Sequence, residues 1–293
     1  MNTDSLLKLS SQHRNSVITL FGLMVLAVLF VHWLSSESLQ ATWLAFLEFL
    51  GAALVSIVLA YFLFVYFVSR GDVELFELQP NKITKEFDSQ LATATSWLYK
   101  GNFGRYLRGK VLPELERGAG GVRVVACIID PRDPDVCRMH AGFRERINSI
   151  DKGVPYTQDA VAMQVLVTIV MCSWYVSNRN MDISVFLTKT YDPVRIDSNG
   201  ESMIVTVEDR RSPALRLNKG HFMFSHFTSQ IDTAREQGHE VRLRGMRACR
   251  MVDIAESDVE AVMVGAGLTD MLGRVAAAEV VKGCREAKNP YET

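Results

Sequence analysis

No two cysteines have the C-x-x-C spacing of a redox or zinc motif. The five that occur, Cys127, Cys137, Cys172, Cys249 and Cys284, are scattered and odd in number. That argues against a disulfide framework and suits a reducing compartment. Cys127 and Cys172 lie in apolar runs and read as small core residues. Surplus charge is missing as well. With 32 basic against 33 acidic residues, bulk attraction to nucleic acid or to an anionic surface is not expected. Neither Cys137 with His140 (C-x-x-H) nor His221 with His226 has a second half at metal spacing, so no metal site is expected. There is no G-x-S-x-G elbow, no internal repeat and no low-complexity tract. Nothing calls for a cofactor.

Two long stretches lack charge altogether, or nearly so. Residues 49–68 contain no charged side chain, and residues 17–34 contain only His32. As helices at ~1.5 Å per residue, each covers ~27–30 Å, the thickness of a hydrocarbon core. They predict a transmembrane hairpin over residues 1–70. Lys8 and Arg14 precede the first run, and Arg70, Lys82 and Lys85 follow the second. Residues 35–40 between them have no Lys or Arg, so the positive-inside rule puts both termini in the cytoplasm. Trp33 and Trp43 flank the short loop as interfacial anchors would. A cleaved signal peptide is the rival reading, but its apolar region would be too long and a second run follows at once. Glu48 either marks the outer interface or sits as an acid within the membrane, depending on where the second helix begins. Gly22, Gly51, Ala52, Ala53 and Ser56 are small enough for close helix packing and a homo-oligomer through the spans.

Residues 71–94 read as a juxtamembrane connector followed by an amphipathic helix with Ile83, Phe87, Leu91 and Ala94 on one face. Residues 95–293 read as a cytosolic α/β domain. Strands are predicted at 95–99 and 122–129, the second β-branched and nearly uncharged. Residues 104–117 predict a helix broken near Pro113. Asp133 followed by Pro134 predicts an N-cap and a helix running to about residue 150. Residues 159–176 are apolar enough for a third span, which would move the C-terminus outside. A helix buried against a sheet is the simpler reading. A strand at 183–190 follows, then a hairpin of 194–197 with 202–208 about the Asn199-Gly200 turn. An amphipathic helix spans 221–236, and a brief strand or turn 241–244. Ser257 with Glu260 predicts a capping box opening a last helix over 258–286, with a break near Gly265–Gly267 or Gly273.

This order of elements resembles one half of the phospholipase D-like fold. The resemblance runs over residues 87–248 and rests on strands TSWLY and VRVVACIID, hairpin VRIDSNGESMIVTVED and helix HFMFSHFTSQID. It implies a mixed α/β sandwich. In that family a His-x-Lys supplies the nucleophile and a phosphate-neutralising cation. Here the histidine triplets are HRN, HWL, HAG, HFM, HFT and HEV, so no family catalytic residue carries over. The fold would then serve binding or assembly.

Two constellations remain. Gly101, Asn102, Gly104, Arg105 and Arg108 follow a predicted strand and open a helix, where exposed N–H groups and arginines bind phosphate. Asp130, at the end of the next strand, points into the same crevice if the strands are parallel. Against this, the loop lacks G-x-G-x-x-G and GKS/T, and its glycines fit a turn needing φ > 0. Asp130 also fits a turn before Pro131. Arg242, Arg244, Arg247 and Arg250 form a basic cluster, with Arg242 and Arg244 on one strand face. They either contact a phosphate backbone or an acidic partner, or pair with Glu236, Glu240 and Asp253 as a solvated surface.

A short N-terminus, a tight two-span hairpin and an α/β domain without a catalytic signature resemble the two-transmembrane effectors of bacterial anti-phage systems, retron effectors in particular. The resemblance implies an inner-membrane, multi-pass protein. Its cytosolic domain would be held by a regulatory complex, a reverse transcriptase with its RNA–DNA product, and its helices would perturb the bilayer when released. A membrane-tethered phosphodiesterase or nucleotide-binding enzyme using the 101–108 loop is the alternative. A ligand-sensing membrane module is the third reading.

Overall fold

The computed structural model describes residues 75–118, 121–147, 156–209 and 211–290, together with Trp33, Trp43, Phe46, residues 50–52, Ser56 and Leu59. The chain divides into two compact units, Met1–Asp72 and Val73–Thr293. In the first, the described residues are helical. Trp43 and Phe46 meet edge to face at 5.6 Å, and Ser56 Oγ donates to Ala52 O at 2.8 Å. The rest of the expected spans, with Glu48, lies outside the described residues.

The second unit is built on an eight-stranded mixed sheet in the order β1-β7-β6-β5-β2-β3-β4-β8. Its elements in chain order are β1 (Leu75–Leu78), α1 (Pro80–Ala92) and β2 (Ser96–Lys100). A π-turn Leu107–Val111 then runs into α2 (Leu112–Arg117), before β3 (Arg123–Ile129) and α3 (Pro134–Arg146). Next come α4 (Gln158–Arg179), β4 (Asp182–Thr188), β5 (Val194–Ser198), β6 (Ser202–Val207) and β7 (Ala214–Asn218). The chain closes with α5 (Phe222–Gln237), β8 (His239–Val241), α6 (Glu256–Ala266) and α7 (Ala277–Arg285). Strands β2, β3 and β4 are parallel neighbours, and every other pairing is antiparallel.

Several local features follow from sequence. Pro113 cannot donate a helical bond, and the chain absorbs this as the π-turn, where Leu112 N–H reaches back to Leu107 O. Asp133 caps α3 by accepting from the N–H groups of Asp135 and Val136 at 3.0 and 3.2 Å, and Pro134 needs no donor at the first helical position. Asp133→Ala should therefore cost ~1 kcal/mol, read as a drop of a few degrees in the thermal midpoint. An unchanged midpoint would show that the cap contributes nothing. The last helix breaks where Gly267 adopts φ 72°, but it opens earlier than the capping box implies. Asp258 does the capping, accepting from Ala255 N at 2.8 Å.

Leu75–Leu78, read as part of a connector, instead form β1, an edge strand paired with β7. Among the described residues α4 is the one helix long and apolar enough to cross a bilayer, and 72% of its most apolar window is buried inside the protein. It is apolar on all sides because α3, α6 and α7 surround it on the sheet. One sheet face carries this thick layer with α1 and α2. The other face packs Cys127, Ile196, Met203, Val205 and Leu217 beneath Phe224, Ile231 and Ala234 of α5.

Candidate functional site

The loop after β2 turns its polar groups inward. Gly101 N–H donates to Cys127 O (3.0 Å), and Asn102 O accepts from Ile129 N (2.9 Å), so the backbone continues the pairing with β3. Gly104 has φ +74°, and a Cβ there would stand 2.8 Å from Thr168 Cγ2 on α4. Both left-handed backbone and close helix approach demand glycine at this position. Arg108, 4% exposed, donates through Nη1 to Phe103 O (3.2 Å), Gln164 O (3.2 Å) and Thr168 Oγ1 (2.7 Å), and through Nη2 to Gln164 Oε1. Burial lowers its pKa to about 10, so it stays charged at neutral pH. Its donors clamp the loop to α4, where a phosphate site would have aimed them outward. Arg105 is half-buried, with Nη2 2.7 Å from Tyr156 OH and its guanidinium over the Phe103 ring.

Asn102 leads to a buried polar cluster. Glu208, just past β6, accepts from Asn102 Nδ2 (3.3 Å) and from Arg144 Nη1 of α3 (3.0 Å). His140, one turn before Arg144, is wholly buried with Nε2 3.8 Å from Glu208 Oε2, too long for a hydrogen bond. Phe103 packs edge to face on its ring at 4.9 Å. Burial pushes His140 down to about 4, against the pull of Glu208. For Glu208, burial acts upward, but the charges facing it and the Asn102 amide hold the carboxyl below its usual range. Because His140 is neutral at pH 7, the charges that keep Glu208 ionised are those of Arg144 first and then Arg195. Lys100 and Asp192 pair beside this cluster. The arrangement is a neutral imidazole beside a fixed carboxylate. Its interior position fastens α3 and the β2 loop to the end of the sheet.

Asp130 does end β3 on a parallel strand, yet it faces a different crevice. Arg132 chelates its carboxylate, with Nε to Oδ1 at 2.9 Å and Nη2 to Oδ2 at 2.7 Å. This pair lines a cavity of about 350 Å³ together with Thr188, Lys189, Gln237 and His239. None of residues 101–108 lines it, so the structure separates Asp130 from the loop the sequence joined it to. Successive crossovers β2 to β3 to β4 step in one direction, so these strands have no switch point of the kind that makes a ligand crevice.

Strand β8 ends at Val241, so Arg242 and Arg244 share no strand face. The segment after it is tied to α4: Asn178 Oδ1 accepts from Cys249 N (2.8 Å), and Trp174 Nε1 donates to Cys249 O (2.8 Å). Arg247 pairs with Asp258 (2.7 Å) and Arg250 with Asp253 (2.6 Å). Arg242 and Arg244 are exposed and, among the described residues, make no ion pair. His221 caps α5 by accepting from Met223 N (3.0 Å). Among the described residues no three His, Cys, Asp or Glu side chains converge as metal ligands.

One charged pair has no counterpart among the sequence-based candidates. Arg195 and Asp197 lie on one face of β5, joined at 2.8 Å and almost fully buried. The guanidinium covers the rings of Phe87 (5.3 Å) and Tyr106 (4.7 Å). Burial raises the Asp197 carboxyl, with Arg195 opposing. Opposite charges two residues apart in an alternating strand are the available signal, since they must point the same way.

No protein-family model and no curated protein matches the chain. Among solved structures it is similar to TrmBL2, an archaeal chromatin protein described as showing a novel mode of DNA binding. The identity is 11%, over 70% of this chain and 69% of that one, with a TM-score of 0.34. A likeness at that level carries no argument about fold or function.

Proposed function

We propose that the chain is a membrane-anchored effector of the anti-phage, retron type. Its α/β domain binds a regulatory partner, and its apolar N-terminal segments perturb the bacterial inner membrane on release. The observation that carries this reading is the uncharged stretch 49–68, followed so closely by folded structure. The run ends at Val68 and β1 begins at Leu75, a gap that an extended chain spans with at most ~25 Å. A displacement of the domain is therefore not absorbed by a long tether.

The proposed class of domain is a phospholipase D-like sandwich without its nucleophile. The mixed sheet, with three parallel strands β2-β3-β4 and the antiparallel β5–β6 hairpin beside them, supports that class. The exposed Arg242 and Arg244 are the surface proposed to meet the phosphate backbone of a partner complex. The enzymatic alternative needs residues 101–108 to hold phosphate, and Arg108 is committed to interior acceptors.

The test is induced expression of the full chain with a membrane-potential dye, beside fractionation in carbonate. Wild type should stay with the membrane through carbonate washing and depolarise cells. Leu54→Lys, at a residue outside the described set, places a charge in the apolar run at a cost of ~2.5–3.5 kcal/mol and should abolish depolarisation. Full-length chain in the carbonate supernatant, or unchanged depolarisation by the variant, would overturn the proposal.

A further inference from the structure

A cavity of about 210 Å³ opens between α1 and the β5–β6 hairpin, apart from the polar cluster and from the Asp130 crevice. Its apolar lining comes from Pro80, Ile83 and Phe87 of α1, with Tyr106 and Val207. Its polar floor is a cross-strand pair, Arg195 and Thr206, which stand opposite one another in the β5–β6 register. Thr206 is 8% exposed, and its Oγ1 has no hydrogen-bond partner among the described residues. A buried hydroxyl left in that state costs ~1–3 kcal/mol, and one that lines a cavity is the feature expected of a site awaiting a ligand.

We infer that this cavity binds a small, neutral, single- or double-ring aromatic molecule carrying one hydroxyl, carbonyl or ring N–H group, which meets Thr206 Oγ1. Size sets the first limit. An apolar cavity of ~150 Å³ takes a benzene-sized guest, so 210 Å³ admits one ring with a substituent, or two small fused rings. Charge sets the second. The Arg195 guanidinium is neutralised by Asp197 at 2.8 Å, and Asp209 also lines the opening. A carboxylate ligand would compete with Asp197 for Arg195 and would face Asp209, and a cation would be pressed against Arg195. The hydroxyl of Thr206 both donates and accepts, so it serves a phenol, a ketone or an indole equally. This gives the α/β domain a sensing function that stands whether or not the membrane proposal does.

The probe is 4-fluorophenol, followed by ¹⁹F NMR as it is titrated into the full-length chain in lipid nanodiscs. Partition into lipid is common to all variants, so the difference between variants reports the cavity. Wild type should give a saturable shifted or broadened resonance. Ile83→Trp, from α1, and Ser212→Trp, from the loop after β6, each fill the cavity from a different wall and should remove it; Ser212 is only half-buried and tolerates a large side chain without disturbing the core. Thr206→Val should weaken binding about five- to tenfold, and 4-fluorobenzoate should give no saturable signal. The inference is overturned if wild type gives no saturable resonance, or if the folded tryptophan variants keep it. It is equally overturned if benzoate binds as well as phenol, or if Thr206→Val binds with unchanged affinity.

Discussion

Arg108→Met should lower the thermal midpoint of the α/β domain by about 10 °C, one of the two largest effects expected of any single substitution in it. The guanidinium satisfies two backbone carbonyls, a hydroxyl and an amide oxygen, all inside the protein. Methionine fills much of the same volume but takes a charged donor away from all four acceptors, of which Phe103 O keeps the Thr168 hydroxyl, at a combined cost of ~3–5 kcal/mol. For a domain of this size each kcal/mol moves the midpoint by ~2–4 °C. Lysine should rescue little, because one ammonium does not span acceptors that the planar fork reaches from two sides. Arg105→Met, in the same loop but half-exposed, should shift the midpoint by no more than about 3 °C. The contrast is diagnostic. If the loop were a phosphate site, its arginines would repel one another without ligand, and removing either would be neutral or stabilising. Tryptophan fluorescence of the full chain during heating measures both, and a drop below 2 °C for Arg108→Met would refute the clamp.

Periodicity and end signals made much of the fold legible. The interior strand β3 is β-branched and uncharged from Val124 onward because it is covered on both faces, by the thick helical layer on one and by α5 on the other. The Asn199-Gly200 turn sits where the hairpin turns, with Gly200 at φ 91°. The Asp133-Pro134 start is literal. What was not legible is pairing at a distance. Residues 75–78 look like a linker because a four-residue edge strand leaves three of its side chains exposed, and only its partner β7 reveals it. The segment 242–250 alternates like a strand, but its backbone is satisfied by Asn178 and Trp174, far away in sequence.

The site residues divide for the same reason. Gly101 to Arg108 reads as an anion loop because glycine and arginine at a helix start are what such loops contain. The same composition serves a buried clamp when the facing helix offers Gln164 and Thr168, which no local reading of the loop includes. Glu208, His140 and Arg144 come from two elements well separated in the chain, and nothing near any one of them announces the others. Their spacing does carry one clue: His140 and Arg144 are four apart on a helix and so share a face. A buried arginine on that face needs a carboxylate opposite, and Glu208 is that group.

Acid should therefore weaken this domain well before its surface carboxylates titrate. In the folded protein burial holds His140 down to about 4, against an ordinary value of 6.5. The groups facing it are Glu208 from the end of β6, Arg144 on its own helix and Arg105 before α2. Between pH 6.5 and 4 the unfolded chain binds a proton that the folded chain refuses. Stability is fully present above 6.5 and declines as pH falls, by ~1.4 kcal/mol per unit and ~3 kcal/mol in all. Glu208 acts in the same sense: its folded pKa lies below its ordinary value of 4.5, so its contribution is present above that value and is lost as pH falls through the folded one. His140→Phe separates the two. Phenylalanine suits a ring already packed against Phe103 and Tyr191. It also removes two buried ring nitrogens that have no hydrogen-bond partner among the described residues, so stability at pH 7 should hold or rise by ~1 kcal/mol. Its unfolding free energy should be flat from pH 7 to 5, where wild type loses ~2 kcal/mol. Denaturant unfolding of both proteins at half-unit steps reads this directly, and the same slope in the variant would show that His140 is not the titrating group.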